Sequence, residues 1–180
     1  MGFECFGKGS DDLVNSILDR SITEFVSDDI NSLGQYALAY NVNLTTLKLK
    51  NIKTTGNFSI ANCSNLSDVY MPNLNLLGYA ACENNASIKR LKIDVDTSFY
   101  ARSLKNTSIE TLILTCTDKI SRLSDVNALT NTPIASGAGY IYVPTALIED
   151  YKTATNWVTY ADQFRAIEDY PEICEVSSND

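Results

Sequence analysis

The 180-residue sequence predicts an α/β solenoid with about five stacked 22-residue units, a sixth strand, a parallel sheet and a helical cap at each end. Three observations carry this expectation. Segments opening at Ile22, Leu44, Leu66, Ile88 and Ile109 are self-similar, and their starts lie 22, 22, 22 and 21 residues apart. Apolar residues recur at the first, fourth and sixth positions: Leu44, Leu47, Leu49; Leu66, Val69, Met71; Ile88, Leu91, Ile93; Ile109, Leu112, Leu114. The thirteenth position is glycine in the first three units, at Gly34, Gly56 and Gly78.

Each observation has a physical basis. Alternation between the fourth and sixth positions is the period of a short strand with one buried face, and the whole opening has the spacing of a leucine-rich repeat. The ninth position is again apolar (Ile30, Ile52, Leu74), where the chain turns back over the core. A recurring glycine implies either φ > 0 or close backbone approach. Tyr36, Phe58 and Ala80 then open a second small apolar segment, and Asn/Ser-rich turn chemistry closes the unit. A single unit cannot bury its own stripe. Stacking can, because each fully buried Leu or Ile contributes roughly 1.5–3 kcal/mol.

The expected strands lie near 25–26, 47–49, 69–71, 91–93, 112–114 and 141–143, in one continuous sheet with Tyr142 beside Ile113. The sixth rests on the match of Ile141-Tyr142-Val143-Pro144 to Val69-Tyr70-Met71-Pro72. The fourth unit lacks the glycine and one residue, which predicts an irregular convex side there. Beyond Pro144, PTALIEDYKTA and NWVTYADQF read as two short helices, with Trp157, Tyr160 and Phe164 available to cover the open core. At the other end DDLVNSILDR starts on an N-cap Asp and has Leu13, Ile17 and Leu18 on one face. The organisation is therefore an N-terminal extension with a capping helix (1–21), the repeats (22–133), a last strand with a helical cap (134–173) and a tail (174–180).

Composition narrows the chemistry. Net charge is −8, the wrong sign for phosphate backbones or anionic membrane surfaces, so no nucleic-acid partner is expected; no stretch approaches the ~20 apolar residues of a membrane span, so no membrane insertion is expected either. The chain contains no histidine, which removes the commonest general base and metal ligand. Cys5, Cys63, Cys82, Cys116 and Cys174 form no CxxC pair and read as free, mostly buried thiols. Gly2–Lys8 opens like a phosphate-binding loop, but Gly9 stands where Ser or Thr would hold magnesium. No enzyme activity and no cofactor or metal are expected. The opening MGFECFGKGSDD lacks the apolar run of a secretory signal, so an export route independent of such a signal is expected. Asp11-Asp12 and Asp28-Asp29 read as capping and turn carboxylates. The N-x-S/T sequons at Asn43, Asn57, Asn62, Asn65, Asn85 and Asn106 read as turn asparagines.

Residues 22–133 resemble the BspA-like leucine-rich-repeat family, most clearly in ANCSNLSDVYMPN (61–73). The resemblance implies a curved solenoid with a parallel sheet, in surface, adhesin-like or virion-associated proteins without catalytic residues. The stretch TPIASGAGYIYVPTALIEDYKTATNWVTYADQFRAIEDYP (132–171) is similar to a terminal segment of phage- and prophage-encoded members, and LVNSILDRSITEF to their openings. Two settings follow from it. One is a bacteriophage virion component bound to other virion proteins and to a host-surface protein or glycan. The other is a bacterial cell-surface adhesin-like module.

The candidate binding residues lie on the solvent face of the sheet, at the third and fifth positions of each unit: Lys48, Tyr70, Arg90, Lys92, Tyr140 and Tyr142. Strand spacing of about 4.8 Å makes this face about 24 Å across. Lys48–Tyr70–Lys92 is expected to form a cation–π stack, and Asp68–Arg90 a cross-strand ion pair.

Overall fold

A computed structural model describes residues 20–175, and within them the chain winds into a stack of coils built from three parallel sheets. Each of the first four coils contributes a strand, then a two-residue strand: β1 (Glu24–Ser27) and β2 (Ser32–Leu33), β3 (Thr46–Leu49) and β4 (Thr54–Thr55), β5 (Asp68–Tyr70) and β6 (Leu76–Leu77), β7 (Arg90–Ile93) and β8 (Ser98–Phe99). The fifth coil gives β9 (Thr111–Leu114) and β10 (Arg122–Leu123), and β11 (Tyr140–Val143) follows. All pairing is parallel and sequential, with Ile113 beside Tyr142. The helix expected within residues 1–21 and the tail beyond 175 lie outside the described residues.

Inward residues stack in columns. Leu44, Leu66, Ile88 and Ile109 form one, Leu49, Met71, Ile93, Leu114 and Val143 another, and all are at most 1% exposed. The two-residue strands, which the sequence pattern does not announce, build a second five-stranded sheet and bury Leu33, Leu77, Phe99 and Leu123.

The glycines serve close approach. Gly34, Gly56 and Gly78 are absent from the left-handed residues, and a Cβ on Gly56 would sit 2.8 Å from the Gly34 carbonyl carbon. The left-handed corners instead fall on Tyr36, Phe58, Ala80 and Arg102 (φ 51–59°), and again on Tyr40, Asn62, Asn84, Asn106 and Asn131 (φ 57–64°). At the second corner asparagine tolerates the conformation, and its side chain extends it into a ladder. Asn84 Nδ2 donates to Asn62 Oδ1, Asn106 to Asn84 and Asn131 to Asn106, at 2.7–3.0 Å.

Two expectations need correction. The main sheet is not continuous: it divides into β1-β3-β5 and a second group beginning at β7. The break coincides with Pro72, which has no N–H to extend the ladder. β5 stops at Tyr70, and contact continues through the Asp94 N–H donating to the Pro72 carbonyl (2.8 Å). The fourth coil is also regular on its convex side, where β8 pairs in register with β6 and both left-handed corners persist at Arg102 and Asn106. Tyr100 occupies the glycine position of that coil, yet its N–H still bonds the Leu77 carbonyl (3.0 Å). The register step widens one coil later, between Ser98 and Arg122.

The C-terminal cover differs in form from two helices. A 3₁₀ turn (Thr145–Leu147) leads into α1 (Ile148–Thr153), and Trp157–Gln163 is a kinked 3₁₀ segment. The chain then enters β12 (Phe164–Ala166), which pairs with β11 as an unexpected further strand. The cap answers the backbone groups that β10 and its flanks leave open. Trp157 Nε1 donates to the Ser121 carbonyl (2.7 Å), and Tyr151 Oη accepts from the Ser121 N–H (2.8 Å). Asn156 donates to the Leu123 carbonyl, and Tyr160 to that of Val126 (both 2.8 Å). Trp157 packs edge-on to Phe99, Tyr151 and Phe164, at centroid distances of 5.7–6.0 Å.

Two predictions follow. Gly78→Ala drives a methyl into the Thr55 and Gly56 carbonyls and should cost about 1–3 kcal/mol in urea unfolding, with an unchanged m-value. Trp157→Ala removes the centre of the cap and should cost about 3–5 kcal/mol in the same measurement. A loss under 1 kcal/mol would mean the end of the stack is closed by other groups.

Candidate binding face

Strand alternation turns the third and fifth positions of each coil away from the core, and the structure divides the resulting face in two. Among the described residues the half over β1, β3 and β5 is open. Val26 is 56% exposed and Tyr70 38% exposed. Lys48 pairs with Asp68 (3.2 Å) across β3 and β5. On β7, Lys92 pairs with Asp94 (3.2 Å), whose Oδ1 also accepts from Thr115 Oγ1 (2.7 Å). The expected Lys48–Tyr70–Lys92 stack therefore does not form, because each ammonium takes a carboxylate in preference to the ring. The Asp68–Arg90 pair is likewise replaced, since Asp68 faces Lys48 and Arg90 turns toward the C-terminal segment.

The half over β7, β9 and β11 is covered by the chain itself. After β12 come two 3₁₀ turns, Ile167–Asp169 and Pro171–Cys174. Glu168 Oε2 anchors the first by accepting from the backbone N–H (2.9 Å) and hydroxyl (2.6 Å) of Thr145, and these donors lower its pKa. Tyr170 then sets its ring against that of Tyr142 (5.4 Å, interplanar 79°), and Arg90 Nη2 donates to the Ile173 carbonyl (2.5 Å). A segment reaching from β11 to β7 crosses β9, where Ile113 is fully buried. Tyr142 is only 8% exposed, and burial raises the pKa of its phenol. Tyr140 remains exposed at the margin, with the Arg165 guanidinium 4.2 Å over its ring.

The six candidates thus do not form one patch. Lys48 and Tyr70 line the open half, Lys92 stands at its border, Tyr140 at the far margin, and Arg90 and Tyr142 lie under the segment. Arg165, Tyr170 and Ile173 belong to the face but escaped the sequence reading, which placed 164–173 in a helical cap. The signal was present as the repeat itself: stepping 23 residues on from Ile141–Val143 lands on Phe164–Ala166.

Elsewhere the polar side chains serve the stack. Asn43, Asn51, Asn65 and Asn73 each donate to a carbonyl 23 residues earlier, all at 2.8 Å. Asn85 is fully buried between the Cys63 N–H and the Ile60 carbonyl. The sequon amides at Asn43, Asn62, Asn65, Asn85 and Asn106 are thereby engaged within the repeat turns. Glu83 is buried against Arg102, which bonds both carboxylate oxygens (2.7 and 2.8 Å) and Tyr79 Oη (2.8 Å). Among the described residues no group of three or more Cys, Asp or Glu is placed to hold a metal ion. No helix among them is long and apolar enough to cross a membrane.

Cys63 and Cys82 are buried and free, whereas Cys116 and Cys174 are half-buried. Burial pushes the Cys63 thiol up to about 11 and that of Cys82 to about 12. A raised folded-state value means that stability holds below the ordinary thiol range and falls as pH climbs from 9 toward 12. Iodoacetamide at pH 8 should label Cys116 and Cys174 in the native protein, and Cys63 and Cys82 only after unfolding; peptide mapping by mass spectrometry reads the difference. Native labelling of Cys82 would contradict the packing described.

Comparison with known proteins bears on this architecture. No curated protein matches the chain. A family model described as "BspA type Leucine rich repeat region (6 copies)" matches residues 20–110, spanning the first four coils and the entry to the fifth. Repeats of this type are typically non-catalytic binding modules, in keeping with the stacked coils and outward-facing strand ladders seen here. With half its length matched by that model, the chain belongs to the BspA type leucine-rich-repeat family.

Proposed function

We propose that this protein is a non-catalytic structural component of a bacteriophage virion, a decoration, fibre or baseplate subunit that binds through the solvent face of its strands. The observation that carries the binding role is the open half of that face, where Val26, Lys48 and Tyr70 stand on neighbouring strands. An exposed aromatic flanked by aliphatic and charged groups on a rigid scaffold has the composition of a protein-contact centre. The Lys48–Asp68 and Lys92–Asp94 pairs form a polar rim around it. The partners proposed are other virion proteins and a host-surface protein or glycan.

The phage setting is supported by the similarity of residues 132–171 to a terminal segment of phage-encoded relatives. The same residues include the cap that closes the last coil, so this segment specifies how the solenoid ends. A non-catalytic role is supported by a sequence without histidine and by the family. A cell-surface adhesin-like module is the second reading, favoured by the family resemblance of the repeats.

Mass spectrometry on purified virions of the source phage tests the proposal: the chain should copurify with intact particles at stoichiometric levels. Its absence from particles, with normal abundance in lysates, would reject the virion role and favour the adhesin-like reading. In the virion, Tyr70→Ala should weaken retention of the neighbouring protein by about 2 kcal/mol, roughly thirtyfold, without changing the melting curve of the isolated chain.

A further inference from the structure

We propose that the half of the face over β7, β9 and β11 is a docking site for a protein segment bearing an aromatic ring and a carboxylate, occupied in this structure by the chain's own residues 167–175. The inference rests on the proposed use of the sheet face for protein binding.

The cis segment shows what the site takes. Its Tyr170 ring meets the Tyr142 ring edge-to-face, and its Ile173 carbonyl takes one N–H from Arg90. Beneath it Ile113 is fully buried, although the equivalent positions Val26 and Tyr70 are exposed. Ile113 and Tyr142 lie side by side, with the Arg90 guanidinium on the next strand two positions earlier, and together they make a recognition patch rather than a solubilising surface.

The fit is incomplete in one respect. Arg90 is half-buried, and among the described residues no carboxylate pairs with it; its partner is a main-chain carbonyl. Guanidinium presents five donors in a fork that a carboxylate meets with two parallel bonds and a full opposite charge, whereas the Ile173 carbonyl takes one N–H and carries no net charge. A partner offering a carboxylate at this point therefore has an advantage over the cis segment.

The segment is also weakly held. None of residues 167–175 belongs to the hydrophobic core, and Pro171, Glu172 and Glu175 are exposed. Its anchors are the Glu168 contact with Thr145, one ring contact and one bond to Arg90. Such segments open at a small fraction of the global unfolding free energy. Tethered directly to β12, it nonetheless acts at high effective concentration, and an incoming segment's apparent affinity falls by the fraction of time the face is open.

The test uses the full chain and two synthetic peptides spanning residues 167–173, one ending in a free carboxylate after Ile173 and one amidated, read by fluorescence anisotropy. Tyr170→Ala loosens the cis segment, so the free-acid peptide should bind this variant at least tenfold more tightly than the wild type. It should bind it at least tenfold more tightly than the amide does, and Arg90→Ala in the same background should erase that difference. Alkylation of Cys174 should accelerate in Tyr170→Ala while Cys63 stays protected. Equal binding of both peptides, or no binding to Tyr170→Ala at millimolar peptide, would overturn the proposal. So would loss of the cooperative melt in that variant, which would make the segment part of the core. A wild-type dimer abolished by Tyr170→Ala would assign the face to a second copy's segment, again overturning it. These readouts do not involve virions, so absence from particles with carboxylate preference intact would reject only the virion setting.

Discussion

Every feature of this molecule depends on the stacking of one coil on the next within a shared ladder of backbone hydrogen bonds. Strands about 4.8 Å apart leave no freedom at the inward positions: whatever stands at one level must pack on what stands a coil earlier. Leu44 meets Leu66, Leu66 meets Ile88, and Gly78 lies against Gly56 because a side chain there would collide with backbone. The same constraint acts on polar groups. An asparagine placed at a left-handed corner finds its equivalent above and below, and the amides bond to one another. Stability is thus shared between neighbours, and each end of the array needs its own solution.

The C-terminal solution is chemically specific. Trp157, Tyr151, Asn156 and Tyr160 supply from side chains the donors and acceptors that another coil would have supplied from its backbone. β12 adds one more strand on the other sheet, and this brings the following residues over the solvent face. Capping and covering the face are therefore one structural event: closure of the core on one side places Tyr170 and Ile173 on the other.

The repeat was legible from its spacing because burial is periodic, and inward columns leave a mark in hydrophobicity every 22 residues. Strand positions, parallel order and the Ile113–Tyr142 neighbourhood followed from that mark. The second sheet was not legible, since two-residue strands such as Thr54–Thr55 and Ser98–Phe99 are too short to show a period. The pairing of charges was misread for a different reason. Sequence places Lys48 near both Tyr70 and Asp68, and only geometry decides that the carboxylate wins. The covered half of the face was hidden because Arg90 and Tyr142 are engaged by residues 83 and 28 positions away, with no local pattern linking them.

The register steps have a kinetic meaning. Paired strands lie 22, 22, 21, 29 and 23 residues apart wherever the main sheet is bonded, so each coil closes a loop of nearly constant length. Loop-closure entropy grows only with the logarithm of length, and the longest step costs about 0.3 kcal/mol more than the shortest of its neighbours. No distant termini must find each other. Once any two coils have met, each further turn of chain needs to search only its own two dozen residues, and ordering spreads outward from that pair as a zipper does, toward the aromatic stop at the end.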